Sequence, residues 1–219
     1  MAKLKLGVLI SGSGTNLQVL IDACATAGYP AEIALVISNK ATAGGIARAE
    51  AAGIPVAVIS HKDFDGREAF DDAMHEKLTE AGVEFICLAG FMRILSDRFI
   101  ERWHDRMINI HPSLLPAYRG LDTHARAIAD GVRFAGCTLH YVRPDLDNGP
   151  IIAQAVVPVL PDDTPDTLAA RIQVQEHRLY PAIVRLIAEG KVTVEDGRVV
   201  YGGGVDLGEN LTDITSPRT

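Results

Sequence analysis

Basic residues are scarce in this chain of 219 residues, in which 21 lysines and arginines face 28 aspartates and glutamates, for a net charge of −7. This balance argues against a nucleic-acid partner, which would favour a basic surface. Apolar runs stay well short of the roughly 18 residues that a membrane span needs, so we expect no membrane partner. The N-terminal apolar run stops after about five residues at a Gly/Ser turn, which is too short for a signal peptide.

Cysteine is also rare. Cys24, Cys87 and Cys137 are odd in number, far apart and without a CxxC pair, so we expect reduced thiols and a cytoplasmic location. Each cysteine lies in an apolar run, which predicts a buried and inert thiol rather than a covalent nucleophile. The sequence has no internal repeat, and no linker divides residues 1–200.

Apolar segments of strand length alternate with amphipathic helical segments in the first half of the chain. The segments predicted to be strands are residues 4–10, 31–37, 56–59, 84–89 and 107–110. This alternation predicts an α/β fold with a doubly wound, mostly parallel sheet flanked by helices. Such sheets bind ligands at the carboxyl ends of their strands. We therefore expect the loops after these strands to converge on one crevice.

The first strand runs directly into the Gly-rich loop SGSGTN, residues 11–16, and then into a helix. This layout aims backbone N–H groups and the helix dipole at an anion. Gly14, Thr15 and Asn16 are therefore candidate phosphate ligands, because glycine lets the backbone approach closely and the other two add side-chain donors. An ordinary strand-to-helix turn is the alternative interpretation.

Two sequence features that this loop lacks argue against a dinucleotide and against a Walker-type nucleotide site. A dinucleotide site would have a third glycine, which this segment lacks, and an acidic residue after the second strand, which ends instead in Ser38-Asn39-Lys40. The GK[ST] of a Walker loop is also absent. A mononucleotide or a sugar phosphate fits this loop better.

Residues 107–120, MINIHPSLLPAYRG, begin as a short strand and continue as a loop stiffened by prolines. Alternation along a strand places Asn109 and His111 on the same face. An amide donor beside a titratable imidazole suits the stabilisation of a developing oxyanion. The alternative is a buried strand whose Asn and His satisfy the backbone of the loop.

The second half of the chain departs from this alternation. Two predicted strands are joined by the Pro-, Asp- and Gly-rich loop 143–150, which could equally be solvated polar chain. Thr164 is predicted to cap a long helix whose apolar stripe is interrupted by Glu176, with Gln173 on a neighbouring row. A carboxylate on that stripe needs a ligand or a local partner, and Arg171 or His177 could provide the latter.

A small hairpin is predicted at residues 191–201, and residues 202–219 are predicted to be a flexible tail because periodicity and large apolar residues both disappear there.

Five separate segments resemble the phosphoribosylglycinamide formyltransferase family, folate-dependent enzymes of purine synthesis. They are VLISGSGTNLQ, AGFMRIL, NIHPSLLPAYRG, LDNGPII and QVQEHRLYP, and the likeness spans residues 4–200. The resemblance implies a Rossmann-like formyltransferase domain over residues 1–201. Its N-terminal half, about 1–100, would bind the mononucleotide, and residues 101–201 would form the folate and catalytic half.

The resemblance also implies a reaction, in which the amine of 5′-phosphoribosylglycinamide attacks the formyl carbon of 10-formyltetrahydrofolate, the co-substrate, without a metal. Asn109, His111 and Asp147 match the catalytic positions. The ribonucleotide would contact Gly14, Thr15, Asn16, Gln173 and Glu176. The folate would contact Arg67, Met92, Arg93, Ile94, Leu95, Asn109, Arg143, Pro144, Asp145, Leu146 and Asp147.

One position departs from the family pattern. Asp122, in LDTH, stands where members often carry a histidine, which argues against a proton-transfer role there. His124 remains as a structural or substrate-adjacent residue. We expect a monomer or a homodimer that acts on small molecules.

Three other functions compete with this one. The first is a different formyl-folate enzyme, either a deformylase or a tRNA formyltransferase, each of which carries an additional domain. The second is a mononucleotide-binding protein without catalysis, which explains SGSGTN but not the three catalytic positions. The third is a metal hydrolase built from His111, His124, His140 and Asp147, whose spacing matches no ligand pattern known to us.

Overall fold

Strands and helices alternate in the first half of the structure, a computed structural model that describes residues 2–203 and 205. The strands are β1 (Leu4–Ile10), β2 (Ala31–Ser38), β3 (Val56–Val58), β4 (Phe85–Leu88) and β5 (Met107–His111). The helices between them are α1 (Thr15–Ala25), α2 (Gly44–Ala51), α3 (Arg67–Glu80) and α4 (Asp97–Arg102). The predicted alternation is confirmed, with boundaries that move by one or two residues. A single 3₁₀ turn at His61–Asp63 was not predicted.

The later elements include two antiparallel pairs. They are α5 (Thr123–Ala129), β6 (Phe134–Tyr141), β7 (Ile151–Pro158), α6 (Pro165–Ala188), β8 (Val192–Glu195) and β9 (Arg198–Tyr201). Strands β6 and β7 pair antiparallel, and β8 and β9 form a separate two-stranded sheet. The second pair confirms the predicted C-terminal hairpin.

The order of strands in the main sheet is β3-β2-β1-β4-β5-β6-β7. Strand β1 pairs in parallel with β2 on one side and with β4 on the other. The chain thus extends the sheet first in one direction and then in the other, which is the doubly wound topology that the sequence predicted. The direction reverses between β1 and β4, where sheets of this kind bind ligands.

The chain divides into two compact units. One comprises the residues up to Asn109 together with Val142–Pro144, and the other comprises Ile110–Tyr141 together with the residues from Asp145 onward. The core of the first unit is a cluster of fourteen buried side chains: Leu9, Leu35, Ile37, Phe70, Met74, Leu78, Val83, Ile86, Leu88, Leu95, Phe99, Ile100, Trp103 and Met107. Strand β1 contributes to it because a central strand is covered on both faces.

Helix α6 organises the second unit, where it packs on β6 and β7. It begins as predicted: Thr164 accepts a hydrogen bond from the N–H of Thr167 in a capping box, and Pro165 is the first helical residue. Its buried stripe includes Leu168 and Ile172. The helix therefore has the register that the sequence predicted for it.

The expectation that all three cysteines are buried was wrong for Cys24, which is only partly buried on α1, whereas Cys87 and Cys137 are buried. Burial nevertheless raises the pKa of Cys24 to about 11 and that of Cys137 to about 12. Both thiols are therefore protonated near neutral pH and are poor nucleophiles.

The structure describes only a small part of the predicted C-terminal tail. The predicted tail, residues 202–219, lies outside the described residues except for Gly202, Gly203 and Val205, and it stays a prediction.

None of the described helices is long and apolar enough to cross a membrane.

A close backbone contact fixes the Gly-rich loop after β1. Gly14 has φ +73°, a left-handed conformation, and a Cβ there would lie 2.5 Å from the Cα of Gly45. A Cβ on Gly45 would in turn meet the Ile10 side chain at 2.6 Å and the Gly14 backbone at 3.2 Å. The N–H of Gly45 donates to the Gly12 carbonyl at 3.1 Å. The first turn of α2 thus supports the loop only because both contact residues have no side chain.

We expect Gly45→Ala to destabilise the protein by about 1–3 kcal/mol, because the added methyl overpacks against Ile10 and the loop backbone. Gly44→Ala is the matched control. Its Cβ would meet the backbone of Ser13 at an ordinary 3.5 Å, so alanine costs little there. Urea unfolding measures both. Equal stability of the two variants would contradict the packing argument.

Candidate active site

The centre of the candidate site is the carboxylate of Asp147, whose side chain is only 8% exposed. Its Oδ2 accepts a hydrogen bond from the N–H of Gly120 at 2.9 Å and lies 3.5 Å from His111 Nδ1. Its Oδ1 lies 3.8 Å from His140 Nε2. A carboxylate removed from water is stable only when donors or cations replace the solvent. The backbone N–H of Gly120 and the imidazole of His111 take that role here.

His111, the last residue of β5, is buried and has an acceptor opposite each ring nitrogen. Nε2 lies 2.9 Å from the carbonyl oxygen of Tyr118, so this nitrogen carries the hydrogen and donates it. Nδ1 faces Asp147. A second proton on Nδ1 would be donated toward that carboxylate, which is the general arrangement that accommodates an imidazolium.

His140, on β6, is 2% exposed and is the residue of this cluster that the sequence left without a catalytic role. Burial is the main cause that lowers its pKa, and the charge of His111 lowers it further. The carbonyl of Tyr141, 2.9 Å from Nδ1, and the charge of Asp147 oppose that shift. His140 is therefore neutral at pH 7 and leaves the negative charge of Asp147 in place.

The loop that supplies Gly120 holds several residues in the left-handed region. Tyr118 has φ +54°, Gly120 has φ +79° and Asp122 has φ +57°, and Asp147 itself has φ +48°. Such non-glycine conformations cost on the order of 1–3 kcal/mol each and persist only where the surroundings impose them. Arg126 is part of those surroundings, because its Nη1 donates to the carbonyls of residues 119 and 121 at 2.7 and 3.2 Å.

Asp122, at the position where the family often has histidine, is exposed and precedes α5 without a side-chain capping bond. Aspartate is one of the residues that enter the left-handed region most readily. The backbone conformation thus accounts for an aspartate here without any part in proton transfer.

His124 lines a cavity of about 200 Å³ beside the loop that follows His111. The other lining residues are Pro112, Ser113, Leu114, Ala117, Tyr118, Thr123, Ala127, Val132, Phe134, Ala135 and Ile172. His124 Nε2 is buried there, with no hydrogen-bond partner among the described residues. Burial lowers the pKa of His124, as does the charge of His111, so its ring is neutral. These contacts leave both expected roles of His124 open, a structural one and one beside the substrate.

Thr138 anchors the loop that follows His111, a contact that no sequence pattern predicted. Its hydroxyl is fully buried, donates to the Ser113 carbonyl at 2.7 Å and accepts from the Leu115 N–H at 3.0 Å. Ser113 adds a bond from its own hydroxyl to the Ala117 carbonyl at 2.7 Å. The loop is thereby fixed up to Tyr118, the acceptor for His111.

The Gly-rich loop belongs to the first unit. Helix α1 begins at Thr15, with Gly14 as its N-cap, and Thr15 and Asn16 are partly buried. Gly12 and Ser13 are exposed. Free N–H groups at the start of a helix are the usual partners of a phosphate, so the local structure is the one that the phosphate hypothesis requires.

The residues predicted to contact folate have different surroundings. Met92, Arg93 and Ile94 are exposed, whereas Leu95 is 5% exposed and packs in the core of the first unit, so its side chain is part of that core. Arg67 is exposed at the start of α3. Arg143 is paired with Asp105.

The remaining loop residues, Pro144, Asp145 and Leu146, are exposed, and Asp145 accepts a hydrogen bond from the Asn148 side chain at 3.2 Å.

Glu176 is buried on the apolar stripe of α6, as its spacing predicted, and Gln173 is partly buried. Arg171, one of the local partners considered for Glu176, instead forms an ion pair with Asp163 at 2.7 Å. Its guanidinium also donates to the Pro158 carbonyl at 2.9 Å.

The structure brings His111 and Asp147 together, as the resemblance implied, and adds Gly120, Tyr118 and His140. Asn109 lies two residues before His111 on β5 and is partly buried. In the described part of the chain no group of three His, Cys, Asp or Glu side chains could hold a metal ion.

A doubly wound sheet with an anion-type loop after its central strand and a buried imidazole–carboxylate pair that includes the last residue of β5 is typical of an α/β enzyme. The family model "Formyl transferase" matches residues 4–184, and the chain belongs to this family.

Relatives of known structure or activity agree with that assignment. Phosphoribosylglycinamide formyltransferase of Haemophilus influenzae is 45% identical over 91% of this chain and 94% of its own length. Glycinamide ribonucleotide transformylase 1 from Symbiobacterium toebii is 46% identical, with a TM-score of 0.89 over 91% of this chain and 94% of that one.

The trifunctional purine biosynthetic protein adenosine-3 of Bos taurus is 47% identical over 91% of this chain, but the match covers 20% of the bovine protein. This chain therefore spans about a fifth of the length of that relative.

The low pKa of His140 predicts a loss of stability in acid. Unfolded, this histidine titrates near 6.5, whereas the folded state resists its protonation. Unfolding therefore takes up a proton below pH 6.5, and the free energy of unfolding falls as the pH drops from 6.5 toward the lower folded pKa. We expect His140→Asn to flatten this slope in urea titrations at several pH values.

The exposed His104 supplies the control, and His104→Asn should keep the wild-type slope. If the His140 variant has the wild-type slope as well, the buried neutral imidazole is not the source of the acid sensitivity.

Proposed function

We propose that this chain transfers a formyl group from 10-formyltetrahydrofolate to the amine of 5′-phosphoribosylglycinamide, as a phosphoribosylglycinamide formyltransferase of purine synthesis. The amine nitrogen forms a bond to the formyl carbon, the bond from that carbon to the folate nitrogen breaks, and one proton passes from the amine to the folate. The observation that carries the proposal is the buried His111–Asp147 pair, 3.5 Å apart, in a chain of the formyl transferase family.

The substrate amine is the nucleophile, so the protein has to stabilise an oxyanion and move a proton. We assign the direct hydrogen bond to the oxyanion to the Asn109 amide, since preorganised donors of this kind are the main source of such stabilisation. Because both ring nitrogens of His111 face acceptors, His111 acts mainly through its positive charge when doubly protonated. Asp147 balances that charge and assists the transfer of the proton.

We further propose that the phosphate of the ribonucleotide binds to Gly14, Thr15 and Asn16, supported by the start of α1 at Thr15 with Gly14 as its N-cap. Gln173 and Glu176 bind the ribose and glycinamide, which gives a reason for a carboxylate on a buried stripe.

The folate contacts the residues predicted for it, chiefly Met92, Arg93 and Ile94, whose exposure leaves them available. Arg67 lies near its glutamate end. The enzyme works in the cytoplasm as a monomer or homodimer, without a nucleic-acid, membrane or metal partner.

The test is an assay of formyl transfer with both substrates, in parallel with 10-formyltetrahydrofolate alone and with aminoacylated tRNA as acceptor. We expect turnover that depends on the ribonucleotide. Formate release from the folate alone would identify a deformylase instead, and transfer to tRNA would identify a tRNA formyltransferase. Binding of the ribonucleotide without turnover would leave a mononucleotide-binding protein.

Asn109→Ala should lower kcat by roughly 10²–10³ with little change in KM, because it removes a donor that acts on the oxyanion and not on the ground state. Steady-state kinetics with each substrate varied in turn measure this. A variant that raises KM and keeps kcat would make Asn109 a binding residue.

Asp147→Asn should lower kcat by about 10²–10⁴ while both substrates still bind, because the amide keeps the shape of the side chain and removes its charge. Asp162→Asn, in an exposed loop of the same unit, controls for the loss of one negative charge.

The pair is tested by adding His111→Ala. Since the imidazole and the carboxylate act as a unit, the double variant should lose less than the product of the single losses. Fully multiplicative losses would contradict the coupling and leave Asp147 as an independent group.

A further inference from the structure

Ser11 joins two loops of the first unit through three hydrogen bonds. Its hydroxyl donates to Asn39 Oδ1 at 2.6 Å and accepts from the N–H of Met92 at 2.8 Å. Its own N–H donates to the carbonyl of Gly90 at 3.1 Å. Ser11 is 4% exposed, so water does not compete for these bonds.

The position of Ser11 in the sheet explains why one residue reaches both loops. It follows β1, which has β2 on one side and β4 on the other. Asn39 follows β2, and Gly90 and Met92 lie in the loop after β4. Ser11 is therefore located where the direction of the sheet reverses.

The direction of the Ser11 hydroxyl is set by Asn39. A serine hydroxyl has a single hydrogen to donate, and the short bond to Asn39 Oδ1 takes it. The lone pairs then remain for the N–H of Met92. Asn39 is 2% exposed, and its Nδ2 lies 3.5 Å from His61 Nδ1, which gives the amide a partner on its other side.

In the loop after β4, Phe91 is partly buried against the core of the first unit, whereas its neighbours contribute little to fixing the backbone. Gly90 has φ +74°, and the side chains of Met92 and Ile94 are 63% and 58% exposed. The loop backbone is held at Met92 by the Ser11 hydroxyl and at Leu95 by burial in the core. The segment between these two points carries the exposed side chains.

We propose that Ser11 is a positioning residue for folate binding. Although it opens the SGSGTN motif, its hydroxyl serves the loop Gly90–Met92 and not the phosphate. This inference rests on the proposed function, which assigns folate contacts to residues 92–95. Ser11 presents the main chain of that loop in one conformation, so the folate does not have to order the loop when it binds.

The binding experiment compares Ser11→Ala with Ser38→Ala, using calorimetry with tetrahydrofolate and, separately, with 5′-phosphoribosylglycinamide. Ser38 is a suitable control because it is a fully buried serine at the end of β2, where it pairs with Ile10 of β1. The hydrogen bonds of the Ser38 hydroxyl are to the backbone of Lys40.

Loss of one buried hydrogen bond should weaken tetrahydrofolate about tenfold in Ser11→Ala. The affinity for the ribonucleotide should change less than about threefold on the same scale, and Ser38→Ala should change neither. In kinetics the KM for 10-formyltetrahydrofolate should rise more than kcat falls. Unchanged tetrahydrofolate affinity in Ser11→Ala, or an equal loss for both ligands, would overturn the proposal.

Hydrogen exchange separates this inference from the proposed function, because it needs no ligand. In the free protein the Met92 amide should exchange at least about tenfold faster in Ser11→Ala than in the wild type, and Ser38→Ala should not change it. Unaltered Met92 protection would overturn the positioning role. Failure of the wild type to bind tetrahydrofolate would overturn the proposed function instead. If Ser11→Ala does not fold, Ser11→Cys takes its place in the same measurements, because a thiol forms weaker hydrogen bonds than a hydroxyl.

Discussion

A negative charge buried beside two imidazoles is the interaction on which the second unit depends. Asp147 contacts groups from three separate segments: His111 at the end of β5, Gly120 in the loop after it, and His140 near the end of β6. Removing a carboxylate from water is expensive unless each of its oxygens is satisfied. These three segments come together only in the folded unit, so the packing of this unit sets the geometry of the site.

The conformation of the backbone around this charge follows from the same requirement. For its N–H to reach the carboxylate, Gly120 lies in a loop where Tyr118 and Asp122 also have positive φ, and Asp147 does as well. Stored strain of this kind would favour rearrangement in an isolated peptide. Here Arg126 and Thr138 hold the neighbouring carbonyls and N–H groups. The groups are thus oriented before any substrate binds, which is the condition for electrostatic stabilisation without reorganisation.

Local patterns in the sequence predicted the helices and strands well, because helix caps, turns and the alternation of apolar residues act over a few neighbouring residues. The strand–loop–helix unit at Gly14, the cap at Thr164 and the buried carboxylate at Glu176 all follow from spacing along a few turns of chain. Strand alternation singled out Asn109 and His111, whereas Asp147 came from the family resemblance alone, since no local pattern relates it to residues so far away in the sequence.

Contacts between distant segments were beyond such reasoning. Nothing in SGSGTN distinguishes Ser11, which serves the loop after β4, from Ser13, which is exposed. Leu95 and Met92 belong to the same motif, AGFMRIL, but Leu95 is buried in the core and Met92 is exposed. In each case the deciding fact is which strand ends become neighbours in the sheet.

The two units offer different kinds of polar groups. The first unit offers main-chain N–H groups, at Gly14 and the start of α1, and a loop fixed by Ser11. Main-chain N–H groups do not themselves titrate between pH 5 and 8. The second unit offers His111 and Asp147, whose charges depend on protons. The proposed formyl transfer would use both kinds of group, because groups that do not titrate can hold a substrate while protons move.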